Sequence, residues 1–122
     1  IETAVRARLP VVFVVVCDRQ WGMVKMNQQF QLKPLKTLLL GSLGPDETIH
    51  ADFEEIRFDL LAESMGAHGE RAGDPSSLRA ALDRAIALDR PSVVHVDVDP
   101  VAHMWAPGLR EFKAMHAEPA GV

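Results

Sequence analysis

Cysteine is nearly absent from this chain: its 122 residues contain one, Cys17. A single thiol excludes an internal disulfide framework and a multi-cysteine zinc site, and makes a reducing cytoplasm the simple reading of its compartment. Long hydrophobic runs are lacking too. The longest purely apolar stretch is residues 11–17, far short of the about 20 residues of a membrane span. Basic charge is not in excess, with thirteen Lys and Arg against seventeen Asp and Glu and a formal net charge of −4. That balance argues against a nucleic-acid partner, which selects a basic face, and against a polybasic membrane anchor. What is present, 48% hydrophobic and 25% charged residues, is the mixture of a folded soluble domain, at the length of one domain or part of one.

The pattern along the chain alternates between helix and strand. Ile1, Ala4, Val5 and the 8–9 pair form a helical stripe with no N-cap before it, which predicts that the chain enters inside a helix and is a fragment. Pro10 ends that helix. Residues 11–17, Val-Val-Phe-Val-Val-Val-Cys, show no alternation and read as a strand buried on both faces between parallel neighbours. Residues 23–30 predict a helix with Met23, Met26 and Phe30 on one face, and residues 32–50 a long irregular excursion. Phe58, Leu61, Ala62 and Met65 recur at helical spacing, with Gly66 as the C′ residue. A short polar strand over 67–72 follows, then a helix opened by Asp74-Pro75 with Leu78, Ala81, Leu82 and Ala85 inward. Residues 92–98 form the last strand. This order predicts an α/β fold, a parallel sheet flanked by helices.

Chemistry-bearing motifs are few. There is no glycine-rich phosphate loop, His-x-x-x-His pair, Cys-x-x-Cys pair or Gly-x-Ser-x-Gly elbow. His95, within a strand, reads as a hydrogen-bonded core or sheet-edge residue, Cys17 as a small core residue, and Asp52, Glu54 and Glu55 as a solvated helix start. The turn Val16-Cys17-Asp18-Arg19-Gln20-Trp21-Gly22-Met23 has two readings. Its composition is that of a surface turn. Its position, at the carboxyl end of a buried parallel strand, is where open α/β sheets place ligands, and a carboxylate beside backbone carbonyls suits a hard divalent cation.

The chain resembles the carboxyl-terminal part of the diphosphate-binding domain of thiamine-diphosphate-dependent enzymes, above all acetolactate synthase large subunits and their decarboxylase and lyase relatives. Four places carry the resemblance: Glu2-Thr3-Ala4-Val5 with Leu9-Pro10-Val11; Cys17-Asp18-Arg19-Gln20-Trp21-Gly22-Met23; Phe58 with Leu61-Ala62-Glu63-Ser64-Met65-Gly66-Ala67; and Arg90-Pro91-Ser92-Val93-Val94-His95-Val96. The resemblance implies thiamine diphosphate and Mg2+ as cofactors. Asp18 (side chain) and Gln20 (backbone carbonyl) would be metal ligands, and Trp21, Gly22 and Met23 cofactor-binding residues. It divides the chain into residues 1–100, the diphosphate-side domain part, and a tail over 101–122. That tail, with Met104 and Trp105, and the segment 31–55 would be mobile parts closing over the cofactor; the alternative is a tail packed statically on the sheet or subunit boundary. The implied activity is the making or breaking of a C–C bond next to a carbonyl, on a small-molecule 2-oxo acid, by a cytoplasmic homo-oligomer, dimer or tetramer. FAD, which some relatives carry, would bind outside this segment.

Two departures stand beside the match. Cys17-Asp18 occupies the place of the family's two asparagines, and no Gly-Asp-Gly, the start of the family motif, occurs in residues 1–122. The family's activating glutamate lies in another domain, so no catalytic residue is assigned and the chain alone is expected to be inactive. The alternative reading is a non-catalytic α/β interaction domain with a degenerate motif.

Overall fold

The computed structural model describes residues 1–40 and 47–102. In chain order the elements are α1 (Glu2–Arg6), β1 (Val12–Cys17), α2 (Gly22–Leu32), α3 (Pro34–Leu40), α4 (Phe58–Ser64), β2 (His68–Ala72), α5 (Pro75–Ala87) and β3 (Ser92–Asp97). The described residues fall into two compact units: Ile1–Gln20 with Asp52–Val98, and Trp21–Ala51 with the described residues after Val98.

The first unit is a three-stranded parallel sheet of order β1-β3-β2. β3 is its centre, pairing Val12↔Ser92 through Cys17↔Asp97 on one side and His68↔Ser92 through Ala72↔Val96 on the other. Alternate β3 side chains feed two cores. Val94 and Val96 pack with Ala72, and with Ala81 and Ala85 of α5; Val93 packs with Ala62 and Ala67 on the opposite face, joined by Val5 and Phe13. Each buried valine contributes about 1.5–3 kcal/mol, so β3 is the element on which both layers depend.

Local signals place the flanking helices. α4 ends in a Schellman motif: Ala67 N–H reaches Ala62 C=O at 3.0 Å and Gly66 N–H reaches Glu63 C=O at 2.9 Å. This closure needs the left-handed φ of +84° at Gly66. α5 starts in a capping box, with Asp74 accepting from Ser76 and Ser77 N–H and Ser77 Oγ accepting from Asp74 N–H, and with Pro75 in the first turn. The hydroxyls of Ser76 and Ser77 donate to the Asp74 carboxylate and hold it well below the usual carboxylate range. Gly69 lets β2 lie against α4, since a Cβ there would stand 2.2 Å from the Asp59 carbonyl oxygen.

Several expectations from the sequence are corrected. Among the described residues β1 starts at Val12 and pairs with β3 alone, so the expected second parallel neighbour is not among them. Val14 and Val16 are accordingly exposed, Val16 at 65%. The fully buried strand is β3, which carries Ser92 and His95 among its valines. Residues 32–50 are not irregular throughout, because Pro34 opens α3 and Leu38 to Leu40 lie within it. Asp52, Glu54 and Glu55 do not start a helix; α4 begins at Phe58, and Asp52 and Phe53 pair with Gln20 and Arg19 of the turn after β1. In the second unit the buried residues of α2 are Lys25, Met26 and Gln29, while Met23 is exposed. Glu47 pairs with Lys33 and Lys36, and Gln28 binds both backbone polar groups of Ile49, holding residues 47–49 against α2 and α3. Of the segments expected to close over a cofactor, residues 41–46 and 103–122, with Met104 and Trp105, lie outside the described residues.

Candidate functional site

The strands of the first unit all point one way, so their carboxyl ends share one edge. β1 reaches that edge at Cys17, which is buried and whose carbonyl accepts from Val98 N–H at 3.1 Å. The next three residues form a tight turn. Asp18 Oδ1 accepts from Gln20 N–H at 3.3 Å, an Asx turn, and Arg19 between them sits at φ +54°. A non-glycine residue in this region costs on the order of 1 kcal/mol or more and persists where its surroundings over-determine it. Here the surroundings are visible. Phe53 N–H donates to Arg19 C=O at 2.9 Å, and Gln20 forms an antiparallel bridge with Asp52. Because the bond uses Arg19, Gln20 and Asp52 are a non-hydrogen-bonded pair, and the peptide groups of Gln20 face away from the 52–53 segment, toward the Asp18 side. Gln20 is 6% exposed.

This turn therefore offers a carboxylate and a backbone carbonyl, two hard oxygen donors, as Mg2+ prefers. It does not offer a complete cage. Among the described residues no group of three or more His, Cys, Asp or Glu side chains comes together to hold a metal. Magnesium takes few protein ligands and completes its octahedron with water and ligand phosphates, so the donor set fits that ion in type while supplying part of its shell. In the second unit Trp21 is the N-cap of α2, makes no side-chain cap bond, and is 59% exposed; Gly22 and Met23 form the first turn.

Beside the turn lies a charged network not foreseen from the sequence. Arg71 of β2 donates from Nε to Asp97 Oδ2 at 2.5 Å, from Nη2 to Asp97 Oδ1 at 3.0 Å and from Nη1 to Glu55 Oε1 at 2.7 Å. The guanidinium holds the Asp97 carboxyl below its ordinary value, and the two carboxylates push Arg71 further up. The fork of Arg57 likewise holds Asp59 low, against the opposing effect of burial. The only sequence signal was the alternation of Asp97 within an apolar strand. As expected, His95 is a core residue: it is 1% exposed and its Nδ1 faces Phe58 N–H at 3.3 Å.

Residues 1–96 match the model of the thiamine pyrophosphate enzyme, C-terminal TPP binding domain. Over 105 residues the chain is 30% identical to the acetolactate synthase isozyme 2 large subunit of Escherichia coli (strain K12), covering 84% of this chain and 17% of that protein. Over 103 residues it is 32% identical to the acetolactate synthase large subunit IlvG of Mycobacterium tuberculosis, covering 81% and 16%. The chain thus spans about one-sixth of the length of these relatives. The crystal structure of benzoylformate decarboxylase from Polynucleobacter necessarius superposes with a TM-score of 0.60 at 18% identity, over 81% of this chain and 16% of that one, a likeness of fold. On the extent of the family match, the chain belongs to the C-terminal TPP-binding domains of thiamine pyrophosphate enzymes.

Proposed function

We propose that residues 1–100 are the diphosphate-side part of a thiamine-diphosphate-binding domain in an Mg2+-dependent enzyme. That enzyme would make or break a C–C bond next to the carbonyl of a 2-oxo acid, as a lyase or transferase of the acetolactate synthase kind. In this reading the Asp18 carboxylate and the Gln20 backbone carbonyl hold magnesium, Trp21, Gly22 and Met23 line the cofactor, and the tail 101–122 closes over it. The whole enzyme is a cytoplasmic homo-oligomer, and any FAD is held outside this segment.

The observation that carries the reading is the Asx turn at the carboxyl end of β1. It brings Asp18 Oδ1 to the N–H of Gln20, the residue whose peptide groups face away from the 52–53 segment. When bound, thiamine diphosphate supplies the electron sink that lets a carboxylate beside a ketone depart as carbon dioxide. This chain's share is to bind and orient. Asp18 in place of an asparagine keeps an oxygen donor and adds a negative charge, which the metal offsets.

The test is a calorimetric titration of the full-length enzyme with Mg2+ and thiamine diphosphate, alongside a pyruvate decarboxylation assay. Asp18→Ala should weaken the magnesium-dependent binding while the circular dichroism spectrum stays the same, since a turn residue supports little core. Unchanged affinity in Asp18→Ala would remove Asp18 from the ligand set. Absence of any stabilisation of the parent enzyme by the cofactor pair would favour the non-catalytic interaction domain.

A further inference from the structure

We propose that Arg71 is a positioning residue for the turn that carries Asp18 and Gln20, acting by tying together the two backbone segments that flank it. The proposal rests on the reading of that turn as a magnesium site.

The turn is held from two sides. On one side is the end of β3: Cys17, the residue before Asp18, is the register partner of Asp97, and its carbonyl accepts from Val98 N–H at 3.1 Å. On the other side is the 52–55 segment, through the Phe53-to-Arg19 bond at 2.9 Å and the Gln20–Asp52 bridge. Arg71 belongs to β2, separated from β1 by the whole of β3. Yet its guanidinium grips both flanks at once, Asp97 through two nitrogens and Glu55 through the third.

A planar fork suits this task because its donors are fixed relative to one another, so anchoring two of them on Asp97 sets the direction of the third. The consequence is geometric. Glu55 is three residues from Asp52, and fixing it relative to Asp97 fixes the segment whose Phe53 N–H bonds the carbonyl of the left-handed Arg19. Where Arg19 relaxes, the Asx turn opens and the Asp18 carboxylate and Gln20 carbonyl no longer keep their mutual placement. Groups that orient metal ligands from behind commonly change metal affinity by about 10–100-fold.

A second fork in the same unit supplies the control. Arg84 of α5 grips the Glu70 carboxylate through Nε and Nη2, on the α5 face of β2 rather than beside the turn. The experiment compares Arg71→Met, Arg71→Lys and Arg84→Met in the full-length enzyme. Two readouts are taken: hydrogen exchange of peptides spanning residues 17–22 and 51–56, without metal or cofactor, and Mg2+ affinity by calorimetry with thiamine diphosphate present. Arg71→Met should speed exchange in both peptides and raise the apparent Mg2+ dissociation constant by about tenfold. Arg71→Lys, which keeps the charge and loses the fork, should fall between, and Arg84→Met should change neither readout. Unchanged exchange in Arg71→Met overturns the proposal. So does faster exchange with unchanged Mg2+ affinity, provided that Asp18→Ala abolishes that affinity. If Asp18→Ala leaves Mg2+ binding intact, the metal reading of the turn fails on its own, and exchange alone decides whether Arg71 holds the turn.

Discussion

Nε2 of His95 lies 3.4 Å from Oδ1 of Asp97, while its Nδ1 faces the backbone N–H of Phe58 at 3.3 Å. Accepting from Phe58 puts the ring proton on Nε2, a buried atom that makes no hydrogen bond among the described residues. Replacement by leucine would fill the same space and leave the first N–H of α4, in a part-buried setting, without its acceptor. His95→Leu should destabilise the protein by about 1–3 kcal/mol. Denaturant unfolding measures it, and faster hydrogen exchange in the first turn of α4 would locate the loss.

Gly69 within β2 and Gly73 just after it predict opposite outcomes. A Cβ on Gly69 would meet the Asp59 carbonyl oxygen at 2.2 Å, a backbone atom that cannot swing aside, whereas one on Gly73 meets nothing within 4 Å. Gly69→Ala must therefore push α4 off β2, at a cost of about 3 kcal/mol or more. Gly73→Ala should be neutral or stabilise by up to about 1 kcal/mol by restricting the unfolded chain. Thermal melting of the two variants side by side is sufficient.

How much of this was legible in advance depended on how far apart the interacting residues are. Asp74-Pro75 and Gly66 were readable because a cap involves neighbours three or four residues away. The helix–strand alternation, and the parallel sheet it implies, were readable for the same reason. Strand order was not. The run of valines in β1 reads as a central strand, but apolar content does not say which strand lies between the others, and among the described strands that place belongs to β3, with Ser92 and His95. The Arg71 network was invisible because its partners lie 26 and 16 residues away and meet only once β2 and β3 are in register. The Asp18–Gln20 turn was found from its position and a family resemblance; its left-handed Arg19 and its bridge to Asp52 were not.

Acid sensitivity follows from the three arginine forks. Asp59, Glu70 and Asp97 are held below the ordinary carboxylate range, chiefly by hydrogen bonds from Arg57, Arg84 and Arg71 respectively. A carboxylate depressed in the folded state adds stability above its unfolded value of about 4 and loses it as pH falls through the folded value. Stability contributed by these pairs should thus be constant from neutral pH down to about 5 and decline below about 4. Removing an arginine removes that increment. Arg57→Met should be less stable than the parent at pH 7, and the difference should vanish toward pH 2. Urea midpoints across that range test the sign; a gap that widens with acid would contradict it.

The last prediction concerns residues 1–122 taken alone, which should show no turnover and bind thiamine diphosphate weakly or not at all. The first unit offers the Asp18 carboxylate and the Gln20 carbonyl, and among the described residues no group of three or more His, Cys, Asp or Glu side chains comes together to hold a metal. Magnesium releases its waters reluctantly, so two oxygens compete poorly with solvent unless further ligands and the cofactor's phosphates arrive together. Organic cofactors also rely on pockets that bury most of their surface, and Trp21, which is proposed to line the cofactor, is 59% exposed. A second consequence is association. The outer edge of β1 has no strand partner among the described residues, and Val14 and Val16 are exposed beside it. Unpaired apolar edges recruit other chains, so the isolated chain should sediment as oligomers, and Val16→Lys should shift it toward monomer. Calorimetric titration with cofactor and Mg2+, a decarboxylation assay on pyruvate and sedimentation velocity cover both parts. Micromolar binding or measurable turnover by the isolated chain would place the complete chemistry within these 122 residues and contradict the assignment of the site as partial.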